Sequence, residues 1–196
     1  ARLRFEAGQF VRIALELQGE RIARPFSFVN APADPVLECY GVIVPGGPLS
    51  PQLARLKNGD TLWIADNPSG FLVLSEVPAA EDLWLVATGT GIAPFLSILR
   101  TEATWQRYRR VILVHAVRRA SELVYQDIIL ELQSSKKQFR YLSFVSRETH
   151  PQSLAGRIPA AIGDGRLEAA AAAAIAPQRS QFMLCGNPQM LKDVAA

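Results

Sequence analysis

Apolar positions follow two different periods along this chain. Up to about residue 77 they come in short runs rich in β-branched and aromatic side chains: FVRIALEL, LECYGVIV, TLWIAD and GFLVL. Turn-forming clusters, NAPADP, PGGPLSP and KNGD, separate them. Short strands at that spacing predict an antiparallel β-barrel or sandwich. After residue 77 the runs become continuous and alternate with helical patterns. DLWLVAT leads through GTGIAP into the helical stretch FLSILRTEATW. RVILVHA is followed by SELVYQDIILELQ, with Ser121 as a plausible N-cap and Val124, Ile128 and Leu132 on one face. FRYLSFVS is a third buried run, and QFMLC a fourth that opens into NPQMLKDVA. Strand–helix alternation with strands apolar on both faces predicts a parallel, doubly wound α/β sheet. The expected organisation is therefore a β domain over 1–77 and an α/β domain over 78–196. The alanine-rich EAAAAAAIAP at 168–177 reads as helix or surface loop and suggests no function.

Composition narrows this only a little. The 196 residues suffice for a real core, and 49% of them are hydrophobic and 20% charged, as in globular proteins. No apolar run is long enough to cross a bilayer, and no signal-peptide layout opens the chain, so a cytoplasmic location without membrane contact is expected. Cys39 and Cys185 are the two cysteines; their separation supports neither a disulfide framework nor a metal site. The net charge of +3 is too small to point to nucleic acid, but it is uneven. Residues 1–77 hold 7 basic and 8 acidic side chains; residues 78–196 hold 14 and 10. The second half is the one suited to a phosphate-bearing ligand or an acidic partner.

Four places carry candidate chemistry. Arg24-Pro25-Phe26-Ser27 offers a guanidinium for a pyrophosphate, a ring to cover a flat heterocycle, and a hydroxyl able to serve a flavin nitrogen. Taken alone, the same residues read more simply as a surface Arg, a core Phe and a turn Ser. Thr88-Gly89-Thr90-Gly91-Ile92-Ala93-Pro94 follows a buried run and opens a helix, the setting of a phosphate-cradling loop, although a plain tight turn has the same pattern. Cys185-Gly186-Asn187-Pro188 stands at the carboxyl end of the last run, where parallel sheets bind ligands, or is a packed thiol before a capped helix. Arg118, Arg147 and Arg157 follow other run ends. With no acidic residue evidently placed there for a free ribose hydroxyl, they suit the 2′-phosphate that distinguishes NADP from NAD. His115 reads as packed and His150 as a loop residue.

Taken in order, RPFS, GGPLS, GTGIAP, HAVR, VSRET…GR and CGNPQM resemble the ferredoxin–NADP reductase family in its compact bacterial subclass, over essentially the whole chain. The resemblance implies an antiparallel FAD-binding barrel followed by a five-stranded parallel NADP-binding domain. It implies that Arg24 and Pro25, with Phe26 stacked on the isoalloxazine and Ser27 near N5, hold FAD. Tyr40, Gly41, Val42 and Ile43 would line the flavin. Pro48, Leu49 and Ser50 would hold its pyrophosphate, with Thr90 reaching it from the second domain; Gly89 and Gly91 of the same loop would also be cofactor-binding. Arg118, Ser146, Arg147 and Arg157 would take the 2′-phosphate, Asn187, Pro188, Gln189 and Asp193 would border NADP(H), and Cys185 would face the nicotinamide. Ser27 and Cys185 are the residues implied at the hydride-transfer contact; no metal is implied. Partners would be acidic one-electron carriers, ferredoxin or flavodoxin, met by a monomer. Phe26 stands where the family has tyrosine, which keeps stacking and drops a phenolic hydrogen bond. The family pattern also begins upstream of residue 1 and continues past Ala196, so both termini look truncated. Flavin reductases and electron-transfer subunits share these domains; an appended iron–sulfur module would need a cysteine cluster. A non-catalytic nucleotide sensor on the same fold remains the third possibility.

Overall fold

The computed structural model describes residues 3–196. Its first half is built on an antiparallel hairpin of β1 (Phe10–Leu17) and β2 (Glu20–Ser27), in register from Phe10 opposite Ser27 to Leu17 opposite Glu20. The two-residue loop, Gln18-Gly19, has both φ angles positive, which matches the twist of the flanking strands. A single helical turn, α1 (Ser50–Leu53), leads to the short β3 (Trp63–Ile64), which pairs on the other side of β1. The sheet order is β2-β1-β3.

The second half alternates strictly. In order come β4 (Asp82–Thr88), α2 (Ile92–Leu99), α3 (Glu102–Arg107), β5 (Arg110–Val117), α4 (Gln126–Ser135), β6 (Phe139–Val145), β7 (Leu154–Ala155), α5 (Ile158–Gly163), α6 (Arg166–Ala171), β8 (Ser180–Cys185) and α7 (Pro188–Ala195). All five strands are parallel, in the order β7-β6-β5-β4-β8. Leu83, Leu85 and Ala87 of β4 join the core formed with α2, while Trp84 and Val86 face the core formed with α5, α6 and α7. Burial on both faces is why DLWLVAT shows no polar alternation. At the amino end of this strand the fully buried Asp82 is gripped by Arg110, whose Nε and Nη2 donate at 2.8 and 2.7 Å.

α2 explains how the halves adhere. Every residue of IAPFLSIL is buried, so this helix has no solvent face. One side packs on the parallel sheet; the other meets Ala7 and Val29 of the first half. Its one polar side chain, Ser97, donates to the Asn30 carbonyl at 2.7 Å. The boundary expected at residue 77 falls between the 3-10 turn Leu74–Glu76 and β4.

Several expectations need correction. Among the described residues the first sheet has three strands and does not close into a barrel. LECYGVIV joins the sheet through one isolated bridge, Cys39 to Phe28, and Val42, Ile43 and Val44 stand more than half exposed. GFLVL forms no strand: Phe71 is 85% exposed, and its last residue, Leu74, opens a 3-10 turn. These runs are apolar without a strand beside them to pair with. ERIARPFS, not among the expected strands, forms β2, an edge strand where the N–H missing at Pro25 costs little. The stretch after the glycine loop breaks at Arg100–Thr101 into α2 and α3. α4 begins after Tyr125, not at Ser121, which lies in a 3-10 turn. EAAAAAAIAP splits at Ala172, which has φ 48°, and packs Ala171 and Ala173 into the core.

Candidate functional site

A cleft of about 930 Å³ runs along the carboxyl ends of the parallel strands and is walled on its far side by Tyr40, Val42 and Ile43. The sheet order makes β4 and β8 the switch point, since the chain winds outward from β4 to β7 before returning to β8 on the other side. Loops leaving strands at such a point splay apart and open a crevice.

The exits of β4 and β8 interlock there. A Cβ on Gly91 would stand 2.3 Å from the Cys185 carbonyl oxygen, and one on Gly186, whose φ is +134°, would stand 2.1 Å from Thr88 Oγ1. Neither site has room for a side chain. Thr88 Oγ1 accepts the Asn187 N–H at 2.6 Å. Asn187 then caps α7, its Oδ1 accepting from the N–H groups of Gln189 and Met190, with Pro188 at the first helical position. Gln189 and Asp193, one turn apart, hydrogen-bond each other at 2.7 Å.

The exits of β5 and β6 are joined by backbone: Ser146 N–H donates to the Val117 carbonyl and Arg147 N–H to that of Arg118. This brings Arg118 and Arg147 together, and Arg157, at the N-cap of α5, lines the same cleft. All three are exposed, and among the described residues no side chain pairs with their guanidiniums. Such a convergence of free cations suits a phosphate.

Two residues make contacts the sequence did not suggest. Glu122 lines the cleft beside the arginines, so an acidic residue does stand there; its carboxylate accepts the Arg118 backbone N–H at 3.2 Å. His115 is fully buried, with Nε2 3.0 Å from the carbonyl oxygen of Gly89 in the glycine loop. Donation from Nε2–H satisfies that carbonyl and leaves Nδ1 as the acceptor, which has no partner among the described residues. Burial pushes the imidazole down to about 4, so it is neutral at pH 7. The unfolded chain takes up this proton near pH 6.5, before the folded one does. Stability is therefore undiminished above about pH 6.5 and falls as the pH drops toward 4. His115→Gln, which keeps a donor for Gly89, is expected to flatten this part of the Tm–pH curve. An unaltered slope between pH 6.5 and 4 would refute the assignment.

Of the residues singled out from sequence, Tyr40, Val42, Ile43, Gly89, Thr90, Arg118, Ser146, Arg147, Arg157, Asn187, Gln189 and Asp193 come together in the cleft. The others lie outside its lining. Arg24, Pro25, Phe26 and Ser27 are the last four residues of β2. Arg24 is exposed, with Nη1 donating to the Ala23 carbonyl. Phe26 packs beside Val11, Ile13 and Phe28, its ring against Gly41. Leu49 is buried, Pro48 is exposed, and Ser50 Oγ accepts the Val44 N–H, closing the turn between them. Gly91 and Pro188 serve the interlock, and Cys185 is half-buried against the core, its thiol pushed up by that burial. Among the described residues no helix is long and apolar enough to cross a membrane, and no group of three or more His, Cys, Asp or Glu is placed to hold a metal ion.

An antiparallel half joined to a parallel sheet, with a cationic cleft at the switch point, defines a nucleotide-dependent oxidoreductase architecture. Residues 85–196 match the oxidoreductase NAD-binding domain family. The chain is 48% identical to the flavodoxin/ferredoxin–NADP reductase of Shigella flexneri and 47% identical to that of Escherichia coli K12, covering 97% of itself and 77% of each relative. The crystal structure of a ferredoxin NADP+ reductase from Neisseria gonorrhoeae with bound FAD and NADP superposes with a TM-score of 0.94 at 36% identity, over 99% of this chain and 78% of that one. This chain belongs to the flavodoxin/ferredoxin–NADP reductase family.

Proposed function

We propose that this protein moves electrons between NADP(H) and a ferredoxin or flavodoxin through FAD, with the coenzyme lying in the cleft along the carboxyl ends of β4 to β8. The observation that carries the reading is the convergence of Arg118, Arg147 and Arg157 at one end of a cleft whose other wall is Tyr40, Val42 and Ile43. The first group suits a phosphate; the second suits a flat aromatic ring.

The residues present fit both groups. Val42, Ile43 and Val44 form an exposed apolar shelf next to Tyr40 that a flavin ring would cover, and Gly41 leaves room for the Phe26 ring behind it. Arg24 and Ser27 at the end of β2, with the Pro48–Ser50 turn, are the residues proposed to hold the rest of FAD. When bound, FAD accepts a hydride equivalent from the coenzyme and passes electrons on singly, so it converts a two-electron donor into a one-electron source. The protein binds and orients. Gly89 and Thr90 offer a backbone-lined approach for the pyrophosphate, and the interlocked Gly91–Cys185 junction fixes their position relative to Asn187. No acid–base group is needed for the hydride step. The excess of basic residues over 78–196 favours encounter with an acidic carrier.

The reading is tested by coenzyme selectivity. A charge-assisted contact contributes about 1.5–3 kcal/mol, roughly tenfold to a hundredfold in binding. Arg147→Ala is expected to raise KM for NADPH by that factor and to change KM for NADH little. Equal losses with both coenzymes would make the arginine structural and remove the basis for the phosphate end of the cleft.

A further inference from the structure

Tyr40 forms part of the cleft wall, and what holds Tyr40 comes from the opposite half of the molecule. The ring of Tyr125 meets it edge-on, with centroids 5.7 Å apart and planes at 89°. We infer that Tyr125 is a positioning residue: it fixes Tyr40, and with it the flavin side of the cleft, against the coenzyme side. The inference rests on the FAD–NADP(H) reading above.

Three observations support it. Tyr125 sits at φ 57°, ψ 30°, a left-handed conformation that sterics disfavour for a bulky L-residue, just before α4. Local preference would place Gly or Asn at this position, so the contacts of the tyrosine ring must maintain the conformation. Second, Tyr125 is partly buried close to the carboxylate of Glu38, two residues before Tyr40, and that burial and the nearby negative charge raise its pKa. Third, Glu38 is itself anchored. Its carboxylate pairs with Arg100 at 3.2 Å, its N–H donates to Asn30 Oδ1, and Arg100 also pairs with Asp34 at 3.1 Å. Arg100 is the C-cap of α2, the helix that opens from the glycine loop. One connected set of contacts therefore ties the segment before Tyr40 to both the glycine-loop helix and the turn that carries Arg118 and Glu122. A tyrosine serving only to fill space would require neither the strained backbone nor the edge-on approach to Tyr40.

The inference separates ring from hydroxyl, and both from the phosphate end of the cleft. Tyr125→Leu removes the edge-on contact; Tyr125→Phe keeps it. Three quantities are measured on FAD-loaded protein: the visible circular dichroism of the flavin, the Kd for 2′,5′-ADP, and the limiting rate of flavin reduction by saturating NADPH. For Tyr125→Leu the flavin dichroism is expected to change and the limiting rate to fall roughly tenfold or more, since small misplacements at a reacting pair are costly. The Kd for 2′,5′-ADP is expected to hold. Tyr125→Phe is expected to restore the dichroism and most of the rate. A folded Tyr125→Leu variant with unchanged dichroism and rate would overturn the inference. So would a Tyr125→Phe variant as impaired as Tyr125→Leu, which also decides the matter if the leucine variant does not fold. Wild-type protein that takes up no FAD, or is not reduced by NADPH, would defeat the functional reading and this inference with it; a competent wild type with an indifferent Tyr125 defeats the inference alone.

Discussion

Gly91→Ala is expected to slow reduction of the flavin by NADPH roughly 100-fold and to lower the melting temperature sharply. The added methyl would stand 2.3 Å from the carbonyl oxygen of Cys185 and 2.6 Å from its carbonyl carbon. Both are backbone atoms in a strand paired along its length with β4, so neither can swing aside as a flexible side chain would. The glycine loop and the end of β8 must part instead. Forcing a methyl into a packed site costs about 1–3 kcal/mol, and with no soft neighbour the upper end applies. For a chain of this size that corresponds to a fall in Tm of roughly 6–12 °C. The kinetic loss should be larger, because a displacement of about 1 Å at a site that aligns reacting groups can cost roughly 10²-fold. Gly89→Ala is the control. Nothing lies within 4 Å of its would-be Cβ, and only its φ of +53° opposes the substitution, so in Tm, the quantity compared, it should cost about 1 kcal/mol and leave the β4–β8 interlock intact. Comparable losses in both variants would show that backbone conformation, and not the β4–β8 interlock, governs the loop.

The parallel half was legible in the sequence because its physics is local. Strands buried on both faces read as unbroken apolar runs, and each of DLWLVAT, RVILVHA, FRYLSFVS and QFMLC is a strand. The cleft followed from them, since a residue just past such a run lies at a carboxyl strand end; Thr90, Arg118, Arg147 and Asn187 were found in this way, whereas Arg157 follows the two-residue β7, which no run announced. The antiparallel half was less legible. LECYGVIV and GFLVL have the composition of strands, but pairing requires a neighbour at the right edge, and composition carries no information about neighbours. ERIARPFS, with three charged residues and a proline, forms a regular strand because β1 supplies its partner. The contacts of His115, Glu122 and Tyr125 were not legible for a related reason, although His115 is packed as expected. Each acts through a contact with a residue distant in sequence, Gly89, Arg118 and Tyr40 in turn, except that Glu122 lies only four residues from Arg118. In that case the bond goes to backbone, which a residue pattern does not show. HAVR and SELVY nonetheless contain these side chains beside residues that were singled out.

Cys185→Ser is expected to slow flavin reduction by saturating NADPH by roughly 10- to 100-fold, with FAD content and Tm nearly unchanged. The structure sharpens the contrast between its two possible roles. Cys185 does not line the cleft; Gly186 and Asn187, the next two residues, do. Its side chain lies with the core cluster around α2 and its thiol is held protonated by burial, so it is no nucleophile or base at neutral pH. Any contribution to rate must therefore come from shape: the last residue of β8, whose carbonyl abuts Gly91, sets where the glycine loop and the Asn187 cap stand relative to each other. Serine nearly preserves volume but brings a stronger hydrogen-bonding group into a largely apolar site, where it will seek a partner and shift the junction. A packing cysteine would show the converse, some loss of Tm with an unchanged rate. Rapid mixing at saturating NADPH isolates the reduction step from binding and from onward transfer to the protein acceptor. An unchanged rate in folded, flavin-loaded Cys185→Ser would reduce Cys185 to a packing residue and leave the alignment of the cleft to Gly91 and the Asn187 cap.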